Sequence, residues 1–150
     1  MLSHSSFRIA RSDDRALITA VLHRYAALAR EDADWSAIAE LFTVDAQFRL
    51  QDGTTFARDE ISGVVRGEEA AIIRHHVTTV DITFLSDDEA HTETFYVAIT
   101  DEAGPDHWGT WHDVFRRQAD GTWSIAERLV TADGADPDGW LMRIYTQTPP

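Results

Sequence analysis

From Arg74 to Thr131 the chain reads RHHVTTVDITFLSDDEAHTETFYVAITDEAGPDHWGTWHDVFRRQADGTWSIAERLVT, and this stretch decides the fold. β-Branched and aromatic residues alternate with polar ones in four runs, broken by clusters of turn formers. The first run covers about His75 to Leu85 and ends at Ser86-Asp87-Asp88-Glu89. The second covers about Ala90 to Thr100 and ends in a loop with Gly104 and Pro105. The third, about Trp108 to Arg117, turns at Ala119-Asp120-Gly121, and Thr122 to Thr131 returns. Four such runs joined by short turns predict an antiparallel meander.

Upstream the period changes. Leu17, Val21, Tyr25 and Leu28, with Ile18 and Leu22 beside them, recur at three- and four-residue steps and predict a helix. Ser12, Asp13 and Asp14 put a cap and negative charge at its start. After the acidic stretch 30–34, Trp35, Ile38, Leu41 and Phe42 form a second, shorter stripe with Asp34 as its cap. Ala46, Phe48 and Leu50 alternate as in a strand and are followed by the turn Gln51-Asp52-Gly53-Thr54. Residues 59–66 predict a third short helix. Residues 1–12 read as a flexible arm, and residues 13–150 as one domain. The tail carries turn residues around Pro137 and Gly139, then an apolar patch from Trp140 to Tyr145. Helices first and a sheet afterwards predict an α+β layer, about three N-terminal helices packed on one face of a curved antiparallel sheet. The space between them is the expected ligand pocket.

Composition removes several chemistries. The 150 residues include no cysteine, which excludes disulfides, thiolate nucleophiles and zinc-thiolate sites. All 13 basic residues are arginine, so lysine Schiff bases and the phosphate-loop lysine are excluded too. Against 26 acidic residues the formal charge is −13, which repels nucleic acid and anionic membranes. No run approaches the roughly 20 apolar residues of a membrane span, and no signal-peptide pattern precedes residue 12, so a cytoplasmic protein is expected. The seven histidines carry no HExxH or facial-triad spacing. No metal and no cofactor are expected.

The run from Tyr25 through Glu31, Asp34 and Trp35 to Phe42 resembles the opening of SnoaL-like proteins of the nuclear transport factor 2-like, or cystatin-like, superfamily. Three further pieces resemble that family in the right order: Arg74-His75-His76-Val77-Thr78-Thr79, Gly109-Thr110-Trp111-His112-Asp113, and Asp120-Gly121-Thr122-Trp123-Ser124-Ile125 leading to Arg128. The resemblance spans about residues 13–131. It implies the cone fold, a homodimer, and a small-molecule substrate. It also implies cofactor-independent chemistry of the dehydratase, dehydrochlorinase, polyketide cyclase or steroid isomerase kind. Structural subunits of ring-hydroxylating dioxygenases share the fold, so a non-catalytic binding or assembly module is the alternative.

In dehydratase-like members an aspartate ending the first helix pairs with a histidine opening a strand. Carried over, the histidine is His75. Counted back from Trp35 the acid is Glu31; counted forward from Tyr25 the slot is Arg30, so the chain holds one extra residue. Asp32 is the next candidate acid. Neutral imidazole takes a proton near working pH, and a carboxylate on its other nitrogen holds the tautomer. His76 points to the opposite face of the strand. Trp111 and Asp113 share strand parity, and the resemblance implies that Trp111 is a pocket wall and Asp113 a second acid–base group, as in the cyclase-type members. Tyr25 either donates to a developing oxyanion or packs in the core. Arg128 is expected to pair with Asp113, and Thr79, Phe42 and Phe48 complete the expected pocket. Val80, Ile82 and Phe84 alternate away from His75 and suggest an apolar outer face for a dimer, though a buried helix contact would give the same pattern.

Overall fold

The computed structural model describes residues 11–65 and 69–147. Helix α1 spans Ser12–Leu28 and the short α2 Trp35–Ala39. Strands β1 (Phe42–Leu50) and β2 (Thr55–Ala57) follow, then a 3-10 helix, Arg58–Val64. The long strands are β3 (Ile73–Phe84), β4 (Glu89–Thr100), β5 (His107–Arg117) and β6 (Trp123–Ala135). Helix α3, Trp140–Gln147, comes from the apolar patch in the tail. The expected arm lies outside the described residues except for Arg11 and Ser12, and Ser12 already belongs to α1.

Six strands form one curved sheet in the order β2-β1-β6-β5-β4-β3. The meander β3 to β6 is antiparallel as read from the sequence. The curved sheet expected around the helices is present and open, with β2 and β3 as its edges. One correction applies: β1 runs parallel to β6, so the sheet is mixed rather than wholly antiparallel. The helical segments between β1 and β3 let the chain return in this sense, which a tight hairpin cannot do.

Helix α1 packs against β3 and β6. Its buried face is Ile18, Leu22, Tyr25 and Ala26, turned slightly from the predicted stripe, and Leu17 is exposed. No side chain caps its start; Asp14 instead accepts from Trp123 Nε1 at 3.0 Å and ties the first turn to β6. Asp34 does cap α2, accepting from the Ala37 amide at 3.0 Å. Ile18, Leu22 and Ile38 are wholly buried in one apolar cluster with Phe48, Phe115 and Ile125. Each such side chain contributes roughly 1.5–3 kcal/mol by leaving water.

In β4 the burial alternates cleanly, with Ala90, Thr92, Thr94, Tyr96, Ala98 and Thr100 inward. In β3 it does not. The pairing with β4 shifts between Val77 and Thr79, and the extra residue reverses parity beyond it. His75 and Val77 face inward on one side of the bulge; Val80, Ile82 and Phe84 pack against the same core on the other. Thr79 is exposed. The apolar outer face drawn from Val80, Ile82 and Phe84 is therefore not an outer face, and the surface on which a dimer was expected disappears with it.

Candidate active site

A cavity of about 220 Å³ opens between α1, the inner sheet face and α3. Its wall is aromatic: Tyr25, Trp35, Phe48, Tyr96, Trp111 and Trp140. Tyr96 stacks on Trp111 with centroids 5.1 Å apart, and Tyr25 meets Trp111 edge-on at 5.0 Å. Gly109 makes that stack possible. A Cβ there would sit 1.9 Å from the Thr131 carbonyl oxygen and 2.9 Å from the Tyr96 hydroxyl, so only glycine lets the hydroxyl donate to that carbonyl at 3.1 Å.

Two imidazoles, His75 and His107, enter this wall with ring centroids 6.0 Å apart. His75 Nδ1 lies 2.8 Å from the Ala29 carbonyl oxygen. A carbonyl only accepts, so Nδ1 carries the proton and Nε2 is the free lone pair. Burial pulls the His75 pKa down to about 4, with the Ala29 carbonyl opposing and His107, Arg128 and His76 adding to the fall. The ring is neutral at physiological pH.

The expected Glu31–His75 pair does not form. Glu31 lines the mouth of the cavity, where it binds the Arg74 guanidinium and accepts from the Ile73 amide at 3.1 Å. Arg74 and then Ile73 hold its carboxyl down to about 2. The chain leaving α1 presents the Ala29 carbonyl to the imidazole, and the Glu31 carboxylate lies beside Arg74 instead.

His107 has what His75 lacks. Its Nδ1 lies 2.8 Å from Asp106 Oδ1, and both side chains are almost wholly buried. Asp106 also accepts from Thr100 Oγ1 at 2.9 Å, from the Trp140 amide at 2.6 Å and from the Leu141 amide at 3.2 Å. Burial alone would raise its pKa, but the bonds from His107, Leu141, Thr100 and Trp140 together hold it below the usual value. Burial lowers the His107 pKa, and Asp106 only partly offsets that.

The remaining expected residues divide. Tyr25, Trp111 and Phe48 line the cavity. Phe42 is buried in the core, against Tyr25 and Phe48. Thr79 is turned out by the bulge. Asp113 and Arg128 are fully buried and form a two-pronged ion pair, with Nε and Nη2 each 2.7 Å from a carboxylate oxygen. The guanidinium carbon lies 4.1 Å from the Tyr25 ring centroid and 4.5 Å from that of Trp111, behind the wall rather than in it. Burial raises the Tyr25 hydroxyl pKa, against the pull of Arg128. Asp106, His107, Tyr96 and Trp140 were missed from sequence. His107 shares strand parity with Trp111 and Asp113, and that signal could have found it.

The SnoaL-like domain model matches residues 10–129. The chain belongs to the SnoaL-like family. No curated protein sequence matches this SnoaL-like domain at significance. Among solved structures it resembles LinA, with a TM-score of 0.72 at 16% identity over 84% of this chain and 90% of that one. It also resembles the hexachlorocyclohexane dehydrochlorinase LinA-type3 from Novosphingobium barchaimii, with a TM-score of 0.73 at 14% identity over 85% and 92%. An NTF2-like protein with a cystatin-like fold from Novosphingobium aromaticivorans matches 99% of this chain and 98% of its own, at 21% identity and a TM-score of 0.71. At these identities the likeness establishes the fold, which for this domain is the cystatin-like, NTF2-like one. No helix among the described residues is long and apolar enough to cross a membrane.

Proposed function

We propose that this pocket carries out cofactor-independent proton transfer on a small, largely apolar substrate, as a lyase or isomerase. The observation that carries the reading is the pair of neutral imidazoles, each with Nδ1 committed to an acceptor, inside a cavity lined mainly by aromatic and aliphatic side chains. A neutral imidazole with a fixed tautomer takes a proton from carbon at Nε2, and the lost C–H electron pair expels a leaving group or shifts a double bond. Tyr25 and Tyr96 line the same wall; Tyr25 is the candidate donor to a developing oxyanion, because the Tyr96 hydroxyl is already engaged with Thr131. The aromatic wall suits cyclic substrates, and the dehydrochlorinase named among the similar structures supports carbon-proton abstraction coupled to loss of a group.

The test offers cyclic ketones, hydroxyketones and chlorinated cyclohexanes in deuterated water and follows carbon-bound hydrogen by NMR. The wild-type protein is expected to exchange or eliminate, and a His75→Gln/His107→Gln variant with unaltered melting is expected not to. Equal rates for the two proteins sink the proposal. A second reading, a binding module of the same fold, draws on one observation: among the described residues His75 hydrogen-bonds only to a backbone carbonyl, and Glu31 is spent on Arg74. Ligand retained in the cavity without any exchange would favour it.

A further inference from the structure

Asp106 precedes β5 and is wholly buried, yet it is no ordinary core carboxylate. One of its oxygens, Oδ1, accepts from His107 Nδ1 and from the Leu141 amide; the other, Oδ2, accepts from Thr100 Oγ1 and from the Trp140 amide. Trp140 and Leu141 are the first two residues of α3. The same carboxylate therefore satisfies the exposed amides at the start of that helix and holds an imidazole on the strand. The helix in turn puts Trp140, Leu141, Ile144 and Tyr145 into the cavity wall. Gly139 permits the contact, because a Cβ there would lie 2.6 Å from Asp106 Oδ2. Trp140 then packs on the imidazole it helps to enclose, with ring centroids 6.1 Å apart.

We propose that His107 is the base of this pocket, and that Asp106 is its positioning residue, joining the imidazole to the docked C-terminal helix. The inference rests on the proton-transfer reading above and goes beyond it by assigning the base to β5 rather than to His75. In the step, His107 Nε2 takes a proton from a substrate carbon. The C–H electron pair becomes the new double bond as a group leaves with its own pair, or as a carbonyl becomes an enolate. The imidazolium that forms keeps its Nδ1–H on Asp106, whose negative charge faces the new positive one, and returns its proton to solvent. His75 has only the dipole of the Ala29 carbonyl to offer an imidazolium, so it serves as the neutral partner across the cavity.

The experiment is long-range nitrogen–proton NMR on the full chain with labelled histidine, for wild type and Asp106→Asn. In the wild type His107 is expected as the Nδ1–H tautomer. The asparagine keeps an oxygen for Thr100 and the Trp140 amide but puts an NH2 group where the ring and the Leu141 amide need an acceptor, so His107 is expected to change to the Nε2–H form. With the lone pair turned away from the cavity, kcat should fall by about 10²–10⁴-fold with KM little changed, and Asp106→Glu should restore part of the loss. Should Asp106→Asn fail to fold, Gly139→Ala presses on the same carboxylate from the helix side. It is expected to shift the His107 titration and speed exchange of the Trp140 and Leu141 amides together. An unchanged tautomer in Asp106→Asn, or exchange surviving in His107→Gln while lost in His75→Gln, overturns the assignment. Loss of all proton transfer in the wild type would instead sink the broader reading of the pocket and take this one with it.

Discussion

Strand β5 and the residue before it carry two buried carboxylates, Asp106 and Asp113, and they do opposite work. Asp113 meets Arg128 through two bonds of 2.7 Å, and both side chains are shut away from solvent. An arginine does not give up its proton in a protein, so Arg128 holds a fixed charge and has no proton to exchange with a substrate. Asp106 faces a histidine, whose charge changes with a single proton, and the other imidazole nitrogen remains available to the cavity. Burial does not separate the two carboxylates. The partner does.

The largest effect should come from breaking the ion pair. Arg128→Ala leaves a buried carboxylate without its cation and is expected to cost about 3–5 kcal/mol in urea unfolding, whereas Arg128→Met with Asp113→Leu should recover most of that. If the double variant were as unstable as the single one, charge pairing would not be what Arg128 supplies between the Tyr25 and Trp111 rings.

The pH dependence of His75 comes next. Its pKa is near 4 in the folded protein and near 6.5 in the unfolded chain. Between those values the unfolded state binds more protons, so stability is complete above about pH 6.5 and is lost as pH falls toward 4. The loss attributable to this ring is about 3 kcal/mol at most, from the size of the pKa difference. Denaturation at pH 7 and pH 4.5 should show it in the wild type and a smaller one in His75→Gln; equal slopes would mean that the ring is not desolvated.

The smallest effect is expected at Glu31. Because it binds Arg74 and Ile73, Glu31→Gln should leave the His75 titration where it was. A fall of the His75 pKa in that variant would restore the helix-end carboxylate as the imidazole's partner. It would also move the working pair away from β5.

Much of the fold was legible because it is written in local periods. The alternation in Glu89–Thr100 and the turns at Gly53 and Gly121, both with positive φ, need only neighbouring residues to be read. The same is true of Asp34, whose cap reaches three residues along the chain. Trp111 and Phe48 were found as pocket walls by parity and by family resemblance. Thr79 and the Val80–Ile82–Phe84 face were misplaced because a single-residue bulge at Val77–Thr79 reverses every later side chain, and strand composition carries no mark of it.

Sequence by itself thus determined the element types, the meander, the cysteine- and lysine-free chemistry and the position of His75 at an inward-facing strand start. Only the tertiary structure decided which acceptor each imidazole received. Ala29 lies 46 residues from His75, and Trp140 lies 34 from Asp106. Contacts at such separations depend on where the ends of α1 and α3 come to rest on the sheet. A small shift at the end of α1 decides whether a carboxylate or a carbonyl meets the imidazole, because hydrogen bonds fail over an ångström while the helix that carries them still packs.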